Sequence, residues 1–169
     1  MKLAVITISD RASRHEYEDL SGPAIERLLQ EAFPDADITR DLVPDQADRI
    51  REALERQTGV DYIFTTGGTG ISPSDLTPET TEAYCDKSIP GIAEMLRMHS
   101  YAQTPNALFS RGYAGIRGTT IIVNFPGSVK AASFCTSLLI PVLKHGVRML
   151  RGEDHGNHGN HGNHGELHG

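Results

Sequence analysis

Cysteines are scarce in this sequence, and long apolar runs are absent. No segment approaches the ~20 consecutive apolar residues that a membrane span requires, so we expect no membrane partner. The start, MKLAVITISD, alternates apolar residues with Thr and Ser, which argues against a signal peptide. Cys85 and Cys135 stand alone in apolar or helical stretches. We predict that they are free thiols of a protein in the reducing cytoplasm, not a disulfide pair.

Positive charge is also in short supply. The 169 residues include 16 Lys and Arg against 22 Asp and Glu, which gives a net charge of −6 with neutral histidines. Proteins that bind nucleic-acid backbone draw their affinity from clustered Lys and Arg. We therefore expect no nucleic-acid partner. Any phosphate that binds here must be small and held locally, for which backbone N–H groups suffice.

Motifs for covalent catalysis by a protein nucleophile are missing as well. The sequence contains no Gly-x-Ser-x-Gly nucleophile elbow. The nucleotide-binding GxGxxG fingerprint and the phosphate-binding Walker loop are absent too. His99 lies on the apolar face of a predicted helix, where a histidine is more often a core residue than a catalyst. The pattern favours positioning chemistry, in which one bound ligand attacks another.

Apolar, β-rich runs alternate with helical segments along most of the chain. Strands are predicted at Lys2–Ile8, Asp37–Val43, Val60–Phe64, Leu108–Ile116 and Thr119–Phe125. This alternation predicts an α/β fold with three α/β/α layers, Rossmann-like, around a mainly parallel central sheet. Ligands of such folds bind at the carboxyl ends of the strands. Loops that could converge there are Ser9–Leu20, Pro44-Asp45, Thr66–Thr77 and Pro126–Lys130.

The run TTGGTGISPSDLTPE, Thr65 to Glu79, carries three glycines within four positions and then an acid. Glycine lets a ligand approach the peptide N–H groups closely, so Thr66–Gly70 could hold a phosphate; a strand-end turn that needs glycine for geometry alone is the alternative. A carboxylate beside a phosphate needs a bridging cation, which makes Asp75 a candidate Mg²⁺ ligand. An Asx turn or a helix cap would also explain Asp75. Asp45 is a second acid at a strand end, with a helix cap as its alternative.

Other polar residues near strand ends are further candidates. Ser110-Arg111 and Pro126-Gly127-Ser128 combine a hydroxyl with a basic or flexible neighbour, and Lys130 follows closely. Arg and Lys can neutralise charge on a transferring phosphoryl group, although Lys130 is also explained as an ordinary surface charge. Ser9-Asp10-Arg11 follows the first strand, where a turn with a salt bridge is the alternative. Thr77 is predicted to cap the next helix.

The TTGGTG run resembles the molybdenum-cofactor biosynthesis family, and within it the Mog/MoaB-type molybdopterin adenylyltransferases, which are similar to the G domain of gephyrin. Further segments resemble family segments in the same order over about residues 1–150: ITISDRAS, YEDLSGP, LVPDQ, IPGIAEMLR, LFSRGYAGIRG and NFPGSVKA. The resemblance implies that the terminal phosphate of molybdopterin attacks the α-phosphate of Mg-ATP. The products would be adenylylated molybdopterin and pyrophosphate.

The resemblance also implies roles for individual residues. Asp45 and Asp75 would be the catalytic acids, with Asp75 holding Mg²⁺. A phosphate or adenylyl group would lie in the cradle of Gly67, Gly68, Thr69 and Gly70. The residues implied for the surrounding nucleotide and pterin pocket are Ser9, Asp10, Thr66, Thr77, Ser110, Arg111, Pro126, Gly127, Ser128 and Lys130. Relatives carry a basic residue where this chain has Ser74, and we expect Arg111 or Lys130 to take its place.

Two other functions stay open beside this one. The first is a nucleotide-derivative pyrophosphatase like the related domain of competence/damage-inducible proteins, and the second is a non-catalytic molybdopterin-binding paralogue. The short chain and its YEDLSGP and AGIRG segments favour the adenylyltransferase, and the presence of both Asp45 and Asp75 argues against a mere binder. The resemblance further implies a homotrimer, the usual assembly of the Mog type, with a hexamer, which occurs in the MoaB type, as the alternative. It also implies a downstream molybdenum-insertion protein as partner.

The composition changes after residue 150, which marks the end of the predicted molybdopterin-binding domain. Residues 151–169 repeat His-Gly-Asn and contain almost no apolar residue, so we predict a disordered tail. Closely spaced imidazoles on a flexible chain bind Ni²⁺, Zn²⁺ or Cu²⁺, and a solvating tail or expression remnant is the alternative. The candidate ligands are His155, His158, His161, His164 and His168.

Overall fold

A computed structural model of the chain describes residues 1–153, which contain one six-stranded sheet. Its strands are β1 (Lys2–Ile8), β2 (Asp37–Val43), β3 (Tyr62–Thr66), β4 (Lys87–Ser88), β5 (Ala114–Arg117) and β6 (Thr120–Phe125). The spatial order is β2-β1-β3-β6-β5-β4. Strands β2, β1, β3 and β6 run parallel, β5 is antiparallel to β6, and β4 is antiparallel to β5. The predicted mainly parallel sheet is confirmed.

Helices cover both faces of this sheet. They are α1 (Asp10–Ser13), α2 (Ser21–Ala32), α3 (Ala47–Arg56), α4 (Thr77–Tyr84), α5 (Pro90–Gln103), α6 (Val129–Leu139) and α7 (Leu143–Leu150), with 3-10 helices at Pro105–Phe109 and Ile140–Val142. Leu3 and Val5 of β1 share a core with α2, α5, α6 and α7. Ala4 and Ile6 share the opposite core with α3 and α4. Because alternate strand residues face opposite sides, β1 is buried on both faces, and the three-layer α/β/α fold is confirmed.

The predicted strand Leu108–Ile116 is wrong over its first six residues. Pro105–Phe109 forms a 3-10 helix, and pairing with β6 begins only at Ala114. The backbone N–H of Arg111 donates to the carbonyl oxygen of Thr69 at 2.8 Å. That contact holds this part of the chain against the glycine-rich loop and out of the sheet.

The described part of the C-terminus is attached to the edge of the sheet opposite the carboxyl ends of the parallel strands. Arg151 donates to one carboxylate oxygen of Asp61 at 2.9 Å, and the backbone N–H of Lys2 donates to the other at 2.8 Å. The predicted histidine-rich tail, with its candidate metal ligands, lies outside the described residues from position 154 onward.

The sequence predicts neither a disulfide nor a membrane span, and residues 1–153 bear on both. Cys85 and Cys135 are both free thiols, the first half-buried and the second buried, so the predicted lack of a disulfide between them is confirmed. Within this part of the chain no helix has the length and apolar character needed to cross a membrane.

Candidate active site

The loop Gly67–Gly70 leaves the carboxyl end of β3 in a backbone conformation that requires glycine. The φ angle is +104° at Gly67 and +66° at Gly68, a region where L side chains are strained. A Cβ atom at Gly67 would collide with the carbonyl oxygen of Ile8, and one at Gly68 would collide with the hydroxyl of Thr77. Conformation and space therefore both demand glycine at these two positions.

All four carbonyl groups of Gly67–Gly70 accept hydrogen bonds from only two residues. The hydroxyl and N–H of Thr77 donate to the first two carbonyls at 2.9 and 3.1 Å, and the N–H and Nε of Arg111 donate to the last two at 2.8 and 2.7 Å. The N–H groups of Gly68–Gly70, by contrast, donate to no acceptor within residues 1–153. Backbone N–H groups without a protein acceptor can donate to a bound anion.

Two cavities flank the loop and meet at Gly68 and Gly127. The first, of about 450 Å³, opens between the loop, α5, the 3-10 helix and α6, and its wall is mainly apolar. The second, of about 510 Å³, opens between the β1–α1 connection, the loop and the start of α6. Both volumes lie within the range of small-molecule sites, so the arrangement suits two small ligands on either side of one loop.

Three carboxylates approach one another beneath the loop. The backbone N–H of Asp45 donates to Asp10 at 2.8 Å, and the N–H of Leu76 donates to Asp45 at 3.4 Å. Burial raises the pKa of Asp45 to about 6, and the negative charges of Asp75 and Asp10 add to the effect while the Leu76 N–H opposes it. This electrostatic environment favours a cation. Residues 1–153 hold no group of three His, Cys, Asp or Glu side chains that could bind a metal ion by themselves.

The structure also shows whether Asp45 and Asp75 act as helix caps. Asp45 does not cap α3, because Gln46 is the N-cap residue there. Asp75 does not cap α4, whose N-cap residue is Leu76. One oxygen of Asp75 accepts the N–H of Ser72 at 2.9 Å. The donor precedes Asp75 by three residues, so this contact is not the Asx turn, in which the donor follows the acid. The other oxygen has no protein donor among residues 1–153. Each acid thus keeps an oxygen available to a ligand.

The predicted site residues divide between the two cavities. The first cavity is lined by Thr69, Gly70, Asp75, Ser110 and Pro126. The second is lined by Ser9, Asp10, Asp45, Thr66, Gly67 and Ser128. The hydroxyl of Thr66 donates to the carbonyl of Pro126 at 2.7 Å, so it joins the two loops.

Thr77, Arg111 and Lys130 line neither cavity. Thr77 is fully buried beneath the loop and begins α4 instead of capping it. The nitrogens of the Arg111 guanidinium bond to the carbonyls of Gly70 and Asp75 and pair with Glu79. Lys130 is exposed. The first two side chains hold the loop in shape, a role that the sequence pattern did not indicate.

Three residues that line the cavities were not singled out from the sequence. Arg97 lines the first cavity and Tyr17 the second. The buried side chain of Asn124, also in the first cavity, bonds to Thr65 and Thr81 and accepts the N–H of Tyr113. An amide at the end of an otherwise apolar strand was the available signal for Asn124. Arg97 and Tyr17 lie within segments that resemble the family, without a local cue to their placement.

Comparison with known proteins agrees with the resemblance. A family model described as "Probable molybdopterin binding domain" matches residues 4–145. A molybdopterin adenylyltransferase of Helicobacter pylori (strain 26695) is 38% identical over 154 residues, which cover 89% of this chain and 88% of that protein.

Solved structures agree as well. One titled "anomalous substructure of MogA" is 36% identical with a TM-score of 0.83, covering 89% of this chain and 99% of that one. The molybdopterin biosynthesis enzyme MoaB of Thermus thermophilus is 38% identical with a TM-score of 0.81, covering 89% of this chain and 96% of that one.

Proposed function

The chain belongs to the molybdenum-cofactor biosynthesis family, and we propose that it is a molybdopterin adenylyltransferase. It transfers AMP from Mg-ATP to the terminal phosphate of molybdopterin and releases pyrophosphate. A bond forms between that phosphate oxygen and the α-phosphorus as the bond from the α-phosphorus to the β-phosphate oxygen breaks. The observation that carries the proposal is the loop Gly67–Gly70, which stands between two cavities, each lined by at least one acid, and whose last three N–H groups have no protein acceptor among the described residues. A relative with that activity in its name supports it.

The loop Gly67–Gly70 stabilises the phosphoryl group while it is transferred. The three free N–H groups of Gly68–Gly70 would donate to the oxygens of the transferring phosphoryl group, where negative charge must be balanced. Thr77 and Arg111 hold the carbonyls of the loop, so the N–H groups need little reorganisation during the reaction. Substrates on opposite sides of the loop would meet there in line, which is the geometry that phosphoryl transfer requires.

Asp45 and Asp75 would hold the Mg²⁺ that accompanies ATP. Magnesium is usually bound by one or two carboxylates together with substrate phosphates, so a cluster of three protein ligands is not needed. The oxygen donors suit a hard cation. Burial is the main cause of the raised pKa of Asp45, and the negative charges of Asp75 and Asp10 contribute to it, which is a charge arrangement that a cation would relieve. When bound, the ion supplies charge neutralisation to the phosphates.

The cavities contain no activated protein nucleophile among the described residues. Cys135 lines the first cavity, but burial raises the pKa of its thiol, which keeps it protonated and weakly nucleophilic. The hydroxyl of Ser128, in the second cavity, accepts the N–H of Ala131 and caps α6. Attack by one substrate on the other therefore needs no covalent enzyme intermediate.

Assembly and location are also part of the proposal. We propose a homotrimer whose contacts include the exposed apolar side chains Met98, Tyr101, Leu108 and Phe109, because such side chains commonly mark interfaces. Sedimentation at equilibrium tests this, and a monomer mass would contradict it. The adenylylated product would pass to a downstream molybdenum-insertion protein in the cytoplasm, a location in keeping with the two free cysteines.

Pyrophosphate release from Mg-ATP, measured with and without molybdopterin, tests the activity. We expect release that depends on the pterin, falls by orders of magnitude in Asp75→Asn and is unchanged in Asp86→Asn, whose acid pairs with Arg117 away from the cavities. Release without the pterin would instead identify a pyrophosphatase. Tight pterin binding with no release would identify a non-catalytic binder.

A further inference from the structure

Most arginines of the described chain are neutralised by a neighbouring carboxylate. The paired residues are Arg14, Arg27, Arg40, Arg49, Arg51, Arg56, Arg111, Arg117 and Arg151. Arg11 and Arg97 have no such ion pair within residues 1–153, and they are the arginines that line the two cavities. Unpaired guanidinium groups therefore coincide with the candidate site, one in each cavity.

Arg97 presents its guanidinium in the mainly apolar first cavity. Its Nη1 donates to the carbonyl of Gly112 at 2.7 Å, which fixes the side chain against the wall. The Nε and Nη2 atoms have no protein acceptor among the described residues. Ala93 and Leu96 on the same helix form the adjoining wall. A half-buried cation among apolar groups is costly without a counter-charge, and an anionic ligand would supply one.

Arg11 lines the second cavity from a more exposed position than Arg97 has in the first. Its guanidinium carbon lies 5.4 Å from the centre of the Tyr17 ring, and both side chains line the cavity. A cation–π contact fixes the guanidinium plane but uses none of its N–H donors. Bidentate binding of phosphate oxygens is therefore open to Arg11 as it is to Arg97.

The proposed reaction, on which this inference rests, places a phosphate-bearing substrate on each side of the loop. Each must enter a region that already contains Asp10, Asp45 and Asp75. Arg111 has its nitrogens engaged by the loop and Glu79, and Lys130 lies outside both cavities. Neither of these predicted residues supplies the positive charge that Ser74 lacks.

We propose that Arg97 and Arg11 each bind a phosphate group of a different substrate, one cavity for each. Positive charge then reaches the phosphates from the outer walls of the two cavities, while the N–H groups of Gly68–Gly70 act between them. The ligand chemistry on both sides is a phosphate or pyrophosphate group.

Steady-state kinetics of Arg97→Gln and Arg11→Gln test this assignment, with the KM for ATP and for molybdopterin measured separately. Loss of a charge-assisted hydrogen bond to phosphate weakens binding about 10- to 100-fold. We expect each variant to raise the KM of one substrate by about that factor, a different substrate in each case, with a much smaller change in kcat. Lysine at the same positions should restore part of the loss, because it keeps the charge but not the planar fork.

Arg27→Gln is the matched control, because Arg27 is exposed on α2 and pairs with Glu31; it should change neither KM. If both cavity variants affect the same substrate, or neither changes a KM, the assignment is wrong. A lower melting temperature in Arg97→Gln with an unchanged KM would show that Arg97 only stabilises the fold through its hydrogen bond to the carbonyl of Gly112. That result would also overturn the assignment.

Calorimetric binding of inorganic pyrophosphate separates this inference from the proposed activity. We expect one cavity variant to bind pyrophosphate at least ~10-fold more weakly than the wild type, whether or not the wild type transfers AMP. Wild-type binding by both variants would refute the inference even in an active adenylyltransferase. Weaker binding by one variant in a protein that lacks transfer would support the anion-binding role and leave only the proposed activity refuted.

Discussion

Replacing Asp45 by asparagine should stabilise the protein at pH 8 while abolishing its activity. Burial raises the pKa of Asp45 from 3.8 to about 6, so the folded state holds its proton more tightly than the unfolded state does. Stability from this group is therefore fully present below about pH 4 and is lost as the pH rises through 6. Asparagine has no charge to bury, and its side-chain oxygen can still accept the Leu76 N–H.

The magnitude follows from the same pKa. A shift of about two pH units corresponds to ~3 kcal/mol at ~1.4 kcal/mol per unit. Because the Asp45 carboxyl is only partly buried, solvent screening reduces this to about 1 kcal/mol. For a domain of this size, that is a rise of ~2–4 °C in melting temperature. The rise should be present at pH 8 and vanish near pH 4.

Thermal unfolding followed by circular dichroism at pH 4, 6 and 8 measures this difference, with pyrophosphate release as the activity readout. Asp35→Asn removes an exposed acid and corrects for the loss of one negative charge. If Asp45→Asn melts below the wild type at pH 8, or if its advantage is equal at pH 4 and 8, the proposed electrostatic cost at this site is wrong.

Three further predictions concern the loop and the ion. Gly68→Ala should lower pyrophosphate release at least ~100-fold and destabilise the fold by ~1–3 kcal/mol, because it adds strain at positive φ and a clash with Thr77. Gly59 is also at positive φ but lies in open space. Gly59→Ala should therefore leave pyrophosphate release unchanged. Thr77→Val should cost ~1–3 kcal/mol in urea unfolding, since the carbonyl of Gly67 loses its buried hydroxyl donor, and an unchanged midpoint would contradict that role. Saturating Mg²⁺ should lower the pKa of Asp45 below 6 in a carboxyl-detected NMR titration, whereas an unshifted titration would exclude Asp45 as a ligand.

The sheet could be predicted largely from local sequence patterns. Where the predicted strands differ from the observed ones, the cause is local. Strand β1 is a continuous apolar run between polar segments, so its burial on both faces follows from the sequence. Strand β4 has two exposed residues and exists only through its pairing with β5. No periodicity can reveal such a short strand, because tertiary contacts alone define it.

The site was harder to predict than the fold, because a polar side chain near a strand end has two uses. It can contact a ligand, or it can satisfy the backbone of a loop that does. Thr77 and Arg111 were expected in the first role, and the structure places them in the second. The two uses require the same hydrogen-bonding groups, so only the position of the glycine loop distinguishes them. The helical pattern gives no sign of Arg97 as a site residue, because it does not show that a cavity opens beside α5.

This division of labour explains how an acidic chain can accommodate phosphates. Thr77 and Arg111 donate to all four carbonyls of Gly67–Gly70, each with its side chain and its backbone N–H, while the N–H groups of Gly68–Gly70 have no protein acceptor among the described residues. Backbone N–H groups provide positive potential without adding net charge. The charge of Arg111 thus acts by fixing the loop, and a lysine there, lacking the fork that reaches two carbonyls and Glu79 at once, would keep the charge and lose the geometry.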